Sequence, residues 1–131
     1  MINFFSKNKF IFYLSNLILI FLYLFPGSAL GWFLFKDFSA QPQITPNFIV
    51  STNHLYAYLI LSVIGFLTFR KNNHFNILSI YLIFLSITLE VLQYFVPNRS
   101  FEFSDLFGNL AGVIIAIIIF FFFKKNENFK N

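Results

Sequence analysis

The sequence predicts an all-α integral membrane protein with four transmembrane helices and both termini in the cytoplasm. Three observations predict it. The 131 residues are 58% hydrophobic and only 11% charged, more apolar surface than a soluble domain of this length can bury. The apolar residues gather into long runs, each near the roughly 20 residues needed to cross the hydrocarbon core. The basic residues sit at the ends of those runs and are divided unequally between the two sides. Helices are the only sensible spanning element, because open strand edges leave backbone groups unpaired in lipid.

The first span is expected over about residues 10–35, interrupted by Pro26 and Gly27. A basic start, an apolar core and Gly27-Ser28-Ala29 are also the layout of a signal peptide with a small-residue cleavage site. The apolar character resumes through Leu30–Phe35, which favours a retained, Pro-interrupted helix. The second span is expected over about residues 53–69 and is the shortest. The third covers about residues 75–96 and stops before Pro97. The fourth covers about residues 105–123 and stops at Lys124-Lys125. Ile115, Ile117, Ile118 and Ile119 are β-branched, but that run is too long for one strand. Residues 124–131 read as a short polar cytoplasmic tail, disordered by composition. The whole of residues 1–131 is expected to be a single domain.

Charge sets the orientation. Lys7, Lys9, Arg70, Lys71, Lys124, Lys125 and Lys130 fall on one side, and only Lys36 and Arg99 on the other. The positive-inside rule places the first group, with both termini, in the cytoplasm. The net charge of +4 is therefore topology control and does not imply nucleic acid. There is no Cys, which excludes disulfides and thiolate metal sites.

The polar residues converge on the outward end. His54 opens the second span, Asp105 and Asn109 open the fourth, Glu90 and Gln93 end the third, and Arg99 lies just beyond. A carboxylate in an apolar span is costly and is a functional-site hypothesis by default. Glu90 lies roughly 10 Å along the helix from Pro97. Glu90 with Gln93, and Asp105 with Asn109, share helix faces. Gly108 and Gly112 form a GxxxG step that lets another helix approach closely, and Gly27 with Gly31 forms a second. Tyr58, Ser62 and Gly65 continue a small, polar stripe below His54.

Each residue also has a structural reading. Glu90 and Arg99 could be an ion pair, Ser104 and Asp105 a helix cap and dipole partner, and Gln93 and Asn109 interhelical hydrogen-bond partners. His54 could be a residue of the interface, as Trp32 and Tyr56 are expected to be. His74 falls in the cytoplasmic connection and is read as incidental.

The pattern Glu90, Gln93, Pro97, Arg99, Asp105, Asn109 and Gly112 resembles the VanZ-like family, and His54 followed by Tyr58 matches its upstream half. The resemblance covers the chain from the first span to the end of the fourth. One departure stands at Thr52 and Asn53, where family members often carry an acidic-basic pair. The resemblance implies a small multi-pass protein of the bacterial inner, or cytoplasmic, membrane. The family takes its name from a gene associated with teicoplanin resistance.

Two uses of the polar end follow, with a third that is purely architectural. The first is a site binding an anionic amphiphile, a membrane lipid or a lipid-linked cell-wall precursor. In it Arg99, Gln93, Asn109 and Tyr58 bind, and two helix N-termini point at the head group. The second is an enzyme in which His54 with Glu90 or Asp105 supplies acid–base catalysis, with Ser51, Ser100 and Ser104 as hydroxyls outside any nucleophile motif. The third is an accessory subunit whose polar cluster locks helix packing. Four short helices leave a monomer little room for the alternating access of a transporter, an objection that a homo-oligomer would evade. A His–carboxylate cluster has the chemistry to hold a divalent ion. No strict motif such as HExxH is present, so neither a metal nor a cofactor is expected.

Overall fold

The computed structural model describes residues 2–70 and 74–128. Among them are six helices and no strand: α1 (Ile2–Lys7), α2 (Lys9–Leu24), α3 (Ala29–Phe35), α4 (Thr52–Thr68), α5 (Phe75–Gln93) and α6 (Phe103–Asn128). Lys71 and Lys130, counted above for orientation, lie outside the described residues.

Among the described residues, two helices are long and apolar enough to cross a membrane: α5, whose most apolar stretch has mean hydropathy 2.0, and residues 103–126 of α6, whose most apolar stretch has mean hydropathy 2.6. Only 33% and 28% of their most apolar stretches are buried, so most of these surfaces face outward and are apolar. Ile80, Phe84, Ile118 and Phe122 are exposed in this way. Outward apolar faces of this extent belong against lipid.

The remaining segments differ in detail from the expectation. The expected first span is two helices, α2 and α3, meeting at 85°. Pro26 has no amide hydrogen to donate, and Gly27 adopts φ +77°, which together end α2 rather than merely kinking it. Phe12, Leu19 and Tyr23 of α2 are core residues. Helix α4 is an apolar helix of 17 residues, about 25 Å long. Helix α5 ends at Gln93, short of the expected Val96, because the chain turns before Pro97. Helix α6 starts at Phe103 and runs past Lys124-Lys125 to Asn128. The tail expected to be disordered from residue 124 is thus helical through Asn128, and residues 129–131 lie outside the described residues. Lysines on the last turns favour that extension, since they complement the helix dipole.

The helices form a four-membered bundle from α2, α4, α5 and α6. Phe12 near the start of α2 packs on Phe69 after α4, while Tyr23 at its end packs on His54 at the start of α4, so the two run antiparallel. Helices α4 and α6 run parallel, with Gly108 against Ser51 and His54, and Gly112 against Leu55, Tyr58 and Leu59. This is the close approach the GxxxG step predicts. A Cβ at Gly112 would stand 2.8 Å from the Leu59 amide nitrogen and would also collide with the Leu55 carbonyl. The second step serves a different partner: Gly31 packs against the backbone of Asp37 and Ala40 in the connection that follows α3. Tyr58, Ser62 and Gly65 are all buried, as the stripe implies.

Gly112→Ala should therefore lower the stability of the fold by about 1–3 kcal/mol, since neither colliding backbone group can move alone. Ile114→Ala, on the exposed face of α6, should change it by less than about 0.5 kcal/mol. Thermal unfolding of both variants in one detergent measures the difference.

Candidate functional site

The polar end is built around the break between α2 and α3. A helix that stops leaves its last carbonyls without intrahelical partners. In apolar surroundings those carbonyls must be met by something else. Arg99 meets two of them: Nη2 donates to the Leu22 carbonyl at 2.9 Å and Nε to the Phe25 carbonyl at 3.3 Å. Gln93 Nε2 donates to the Tyr23 carbonyl at 3.2 Å. A guanidinium at a helix C-terminus also complements the negative end of the dipole. Burial pulls the Arg99 pKa below its ordinary value, opposed by the charges of Tyr23, Asp105 and Glu90. Among the described residues Arg99 makes no ion pair with Glu90, so the pairing considered from sequence does not form.

Asn109 ties three helices together. Its Oδ1 accepts from the Tyr23 hydroxyl at 2.6 Å, and its Nδ2 donates to the Ser86 carbonyl and to Glu90 Oε2, each at 3.3 Å. Glu90, 0% exposed, accepts at Oε1 from the backbone N–H of Glu102 at 3.2 Å. The α5 carboxylate is thereby fixed at the start of α6, where the dipole favours it. Tyr58 donates its hydroxyl to the Leu85 carbonyl at 3.2 Å, and its ring meets Tyr23 edge to face.

His54 sits where α4 and α6 begin side by side. The Ser51 amide donates to the Ser104 carbonyl at 3.1 Å, which locks the two starts together. Ser51 Oγ and His54 Nδ1 share a hydrogen bond of 2.7 Å, and Asp105 Oδ1 stands 3.6 Å from the same nitrogen. Asp105 thus lies in the first turn of α6, as a dipole partner would, and also faces the imidazole. His54, Glu90 and Asp105 each present an atom within 4.8 Å of the other two.

A cavity of about 150 Å³ opens beside this cluster, lined by Tyr23, Ser28, Gln41, Asn53, His54, Gln93 and Arg99 together with Leu22, Ala29, Leu30, Pro42 and Ala57. Its ionisable lining residues of basic type are Arg99 and His54, and no carboxylate lines it. The connection between α3 and α4 forms one wall. Asn53 Nδ2 donates to the Pro42 carbonyl at 2.6 Å, and its Oδ1 accepts from the Ile44 amide at 3.0 Å. Thr52 Oγ1 donates to the Thr45 carbonyl at 2.7 Å. Within that connection, hydrogen bonds from Ser39 hold the exposed Asp37 carboxyl below its ordinary pKa.

The residues singled out from sequence are brought together here: His54, Tyr58, Glu90, Gln93, Arg99, Asp105 and Asn109 share one end of the bundle. Ser100 bonds the exposed Glu102, and His74 is an exposed residue preceding α5. Tyr23 and the Thr52–Asn53 pair were missed. A Tyr three residues before a Pro, at the end of the apolar run from Leu17 to Leu24, is the signal that could have found Tyr23. Nothing local to Thr52 or Asn53 announces that they hold a loop 11 residues away.

These features define a helical membrane protein with a polar pocket at one end of its bundle. Residues 7–124 match the family model described as VanZ/LLP1, and the chain belongs to that family. No curated protein and no solved structure matches it.

Arg99→Gln should destabilise the protein by about 2–3 kcal/mol, because a charged donor is lost and buried carbonyls are left unpaired. Glu90→Gln should also lower stability, since one orientation of the new amide sets its NH2 against Asn109 Nδ2 and the other sets it against the Glu102 N–H. Melting curves with monodispersity after gel filtration check both. Either variant folding as stably as wild type would show that these bonds are dispensable.

Proposed function

We propose that this VanZ-family chain crosses the bacterial cytoplasmic membrane four times as one domain. Both termini face the cytoplasm, and the pocket faces outward to bind the anionic head group of an amphiphile. The ligand class is a phosphate- or carboxylate-bearing membrane lipid or lipid-linked cell-wall precursor. A lipoglycopeptide such as teicoplanin presents the same combination of polar head and acyl chain, and would compete for the same place.

Topology rests on charge. Lys7, Lys9, Arg70, Lys124 and Lys125 gather at one end of the bundle, and Lys36 and Arg99 at the pocket end. Helix α4 is short by itself, but its polar N-terminal turn is sheltered by α6 and the connection from α3.

The observation that carries the head-group reading is the lining: the Arg99 guanidinium and the His54 imidazole face the cavity and no carboxylate does. An anion should be repelled by Glu90 and Asp105, yet both are engaged elsewhere. Glu90 is held by Asn109 and the Glu102 amide, and Asp105 faces His54. The apolar remainder of the lining suits the glycerol or first methylenes of a lipid. A second reading, acid–base catalysis on the bound head, is favoured by the contact of Ser51, His54 and Asp105. Ser51 and Asp105 meet the same imidazole nitrogen, so the three do not form a relay, and His54 would act alone as base.

Because the chain has no Cys, single cysteines test the topology directly. An impermeant maleimide on intact cells should label Gln43→Cys and leave Asn126→Cys unlabelled until lysis; the reverse pattern would sink the orientation. For the ligand, native mass spectrometry of the gently extracted full chain should show an anionic lipid on wild type. Its retention should fall by about tenfold or more in Ala57→Phe or Ala29→Leu, which fill the pocket without touching its polar groups. Bare wild-type protein, or lipid equally retained by both folded variants, would overturn the reading.

A further inference from the structure

The polar end contains one assembly whose two carboxylates head-group binding leaves unused. His54, Glu90 and Asp105 come from α4, α5 and α6, far apart in sequence, yet one nitrogen or oxygen of each lies within 4.8 Å of the others. His54 Nδ1 and Asp105 Oδ1 stand 3.6 Å apart. Two ligands of one tetrahedral metal ion, each at about 2.0–2.2 Å from it, are separated by about 3.3–3.6 Å. The His54–Asp105 pair is thus already at ligand spacing, and Glu90 has only about 1 Å to close.

Charge argues the same way. Glu90 is fully buried and Asp105 is half-buried beside it. A positive charge between two carboxylates so placed would relieve their mutual repulsion. Arg99 is committed to the carbonyls of Leu22 and Phe25 and pairs with neither carboxylate among the described residues.

We propose that His54, Glu90 and Asp105 bind a divalent metal cation. The imidazole suits Zn²⁺ and the two carboxylates also suit Mn²⁺, whereas an imidazole ligand disfavours Mg²⁺ and Ca²⁺. Asn109 Nδ2 and the Glu102 amide already hold the two oxygens of Glu90, as outer partners that orient a ligand do. A cation on Nδ1 takes the place of the Ser51 hydrogen bond. Since His54 also lines the cavity, the ion would stand at its edge. There it would add positive charge beside Arg99, the sense an anionic head group requires. The cation site stands on these three side chains and does not depend on the head-group reading.

The test uses the full chain, carrying no polyhistidine tag, stripped with a chelator in detergent and titrated with Zn²⁺, Mn²⁺ or Mg²⁺ alone. Expected are one Zn²⁺ or Mn²⁺ per chain after gel filtration, a raised Tm, and no uptake of Mg²⁺. Asp105→Asn and His54→Gln, eluting as wild type does, should each bind at least about tenfold more weakly. Wild type that regains no ion and shows no Tm shift overturns the proposal, as does a well-folded Asp105→Asn that binds as wild type does. The readout is metal content and not lipid, so failure here is distinguishable from failure of the head-group reading.

Discussion

The polar end of this protein depends on how closely α6 lies on α4. Gly108 and Gly112 bring the backbone of one helix against the backbone of the other, with no side chain between them. Only at that separation does Asp105 come within reach of His54, and only then can the Ser51 amide bond the Ser104 carbonyl. In lipid, where apolar surface gains nothing by turning inward, small residues and interhelical hydrogen bonds must hold a bundle together. Here the small residues set the distance and the polar residues use it.

Asn109 shows how that economy works. It lies one residue beyond Gly108 and reaches Tyr23 on α2 as well as Ser86 and Glu90 on α5. One amide thus connects the helix that ends at the Pro26 break to the helix that carries the buried carboxylate. Its bonds to the Tyr23 hydroxyl and to Glu90 Oε2 meet polar groups buried in an apolar interior, where an unpaired group is costly. Arg99 and Gln93 do the same for the carbonyls released by the break. The structural and functional readings of these residues are therefore not alternatives. The same bonds that satisfy the backbone leave a guanidinium and an imidazole on the wall of a cavity and turn the carboxylates away from it.

This dual use explains why the break at Pro26 is sharp. A gently kinked span would free little beyond the Leu22 carbonyl, which Pro26 cannot bond, and would keep the carbonyls of Tyr23 and Phe25 in the helix. The 85° turn frees them and swings α3 aside to form part of the pocket wall with Ser28, Ala29 and Leu30. Gly31 then lets the following connection fold closely onto α3, and Thr52 and Asn53 fasten that connection from the other side.

The sequence by itself determined the class of protein, the helical form of its apolar runs and where its costly polar residues lie along them. Long apolar runs have one stable form in lipid, and costly residues such as Glu90 and Asp105 are conspicuous within them. The Gly108–Gly112 step and the stripe of Tyr58, Ser62 and Gly65 were legible too, because helical periodicity reads directly as a face. What only the tertiary structure decided was who meets whom. Arg99 goes to backbone carbonyls rather than to Glu90, Tyr23 joins Asn109 across 86 residues of chain, and a His and two carboxylates from three helices converge. Local spacing carries no record of such contacts, because each is fixed by where separate helices end and how closely they pack.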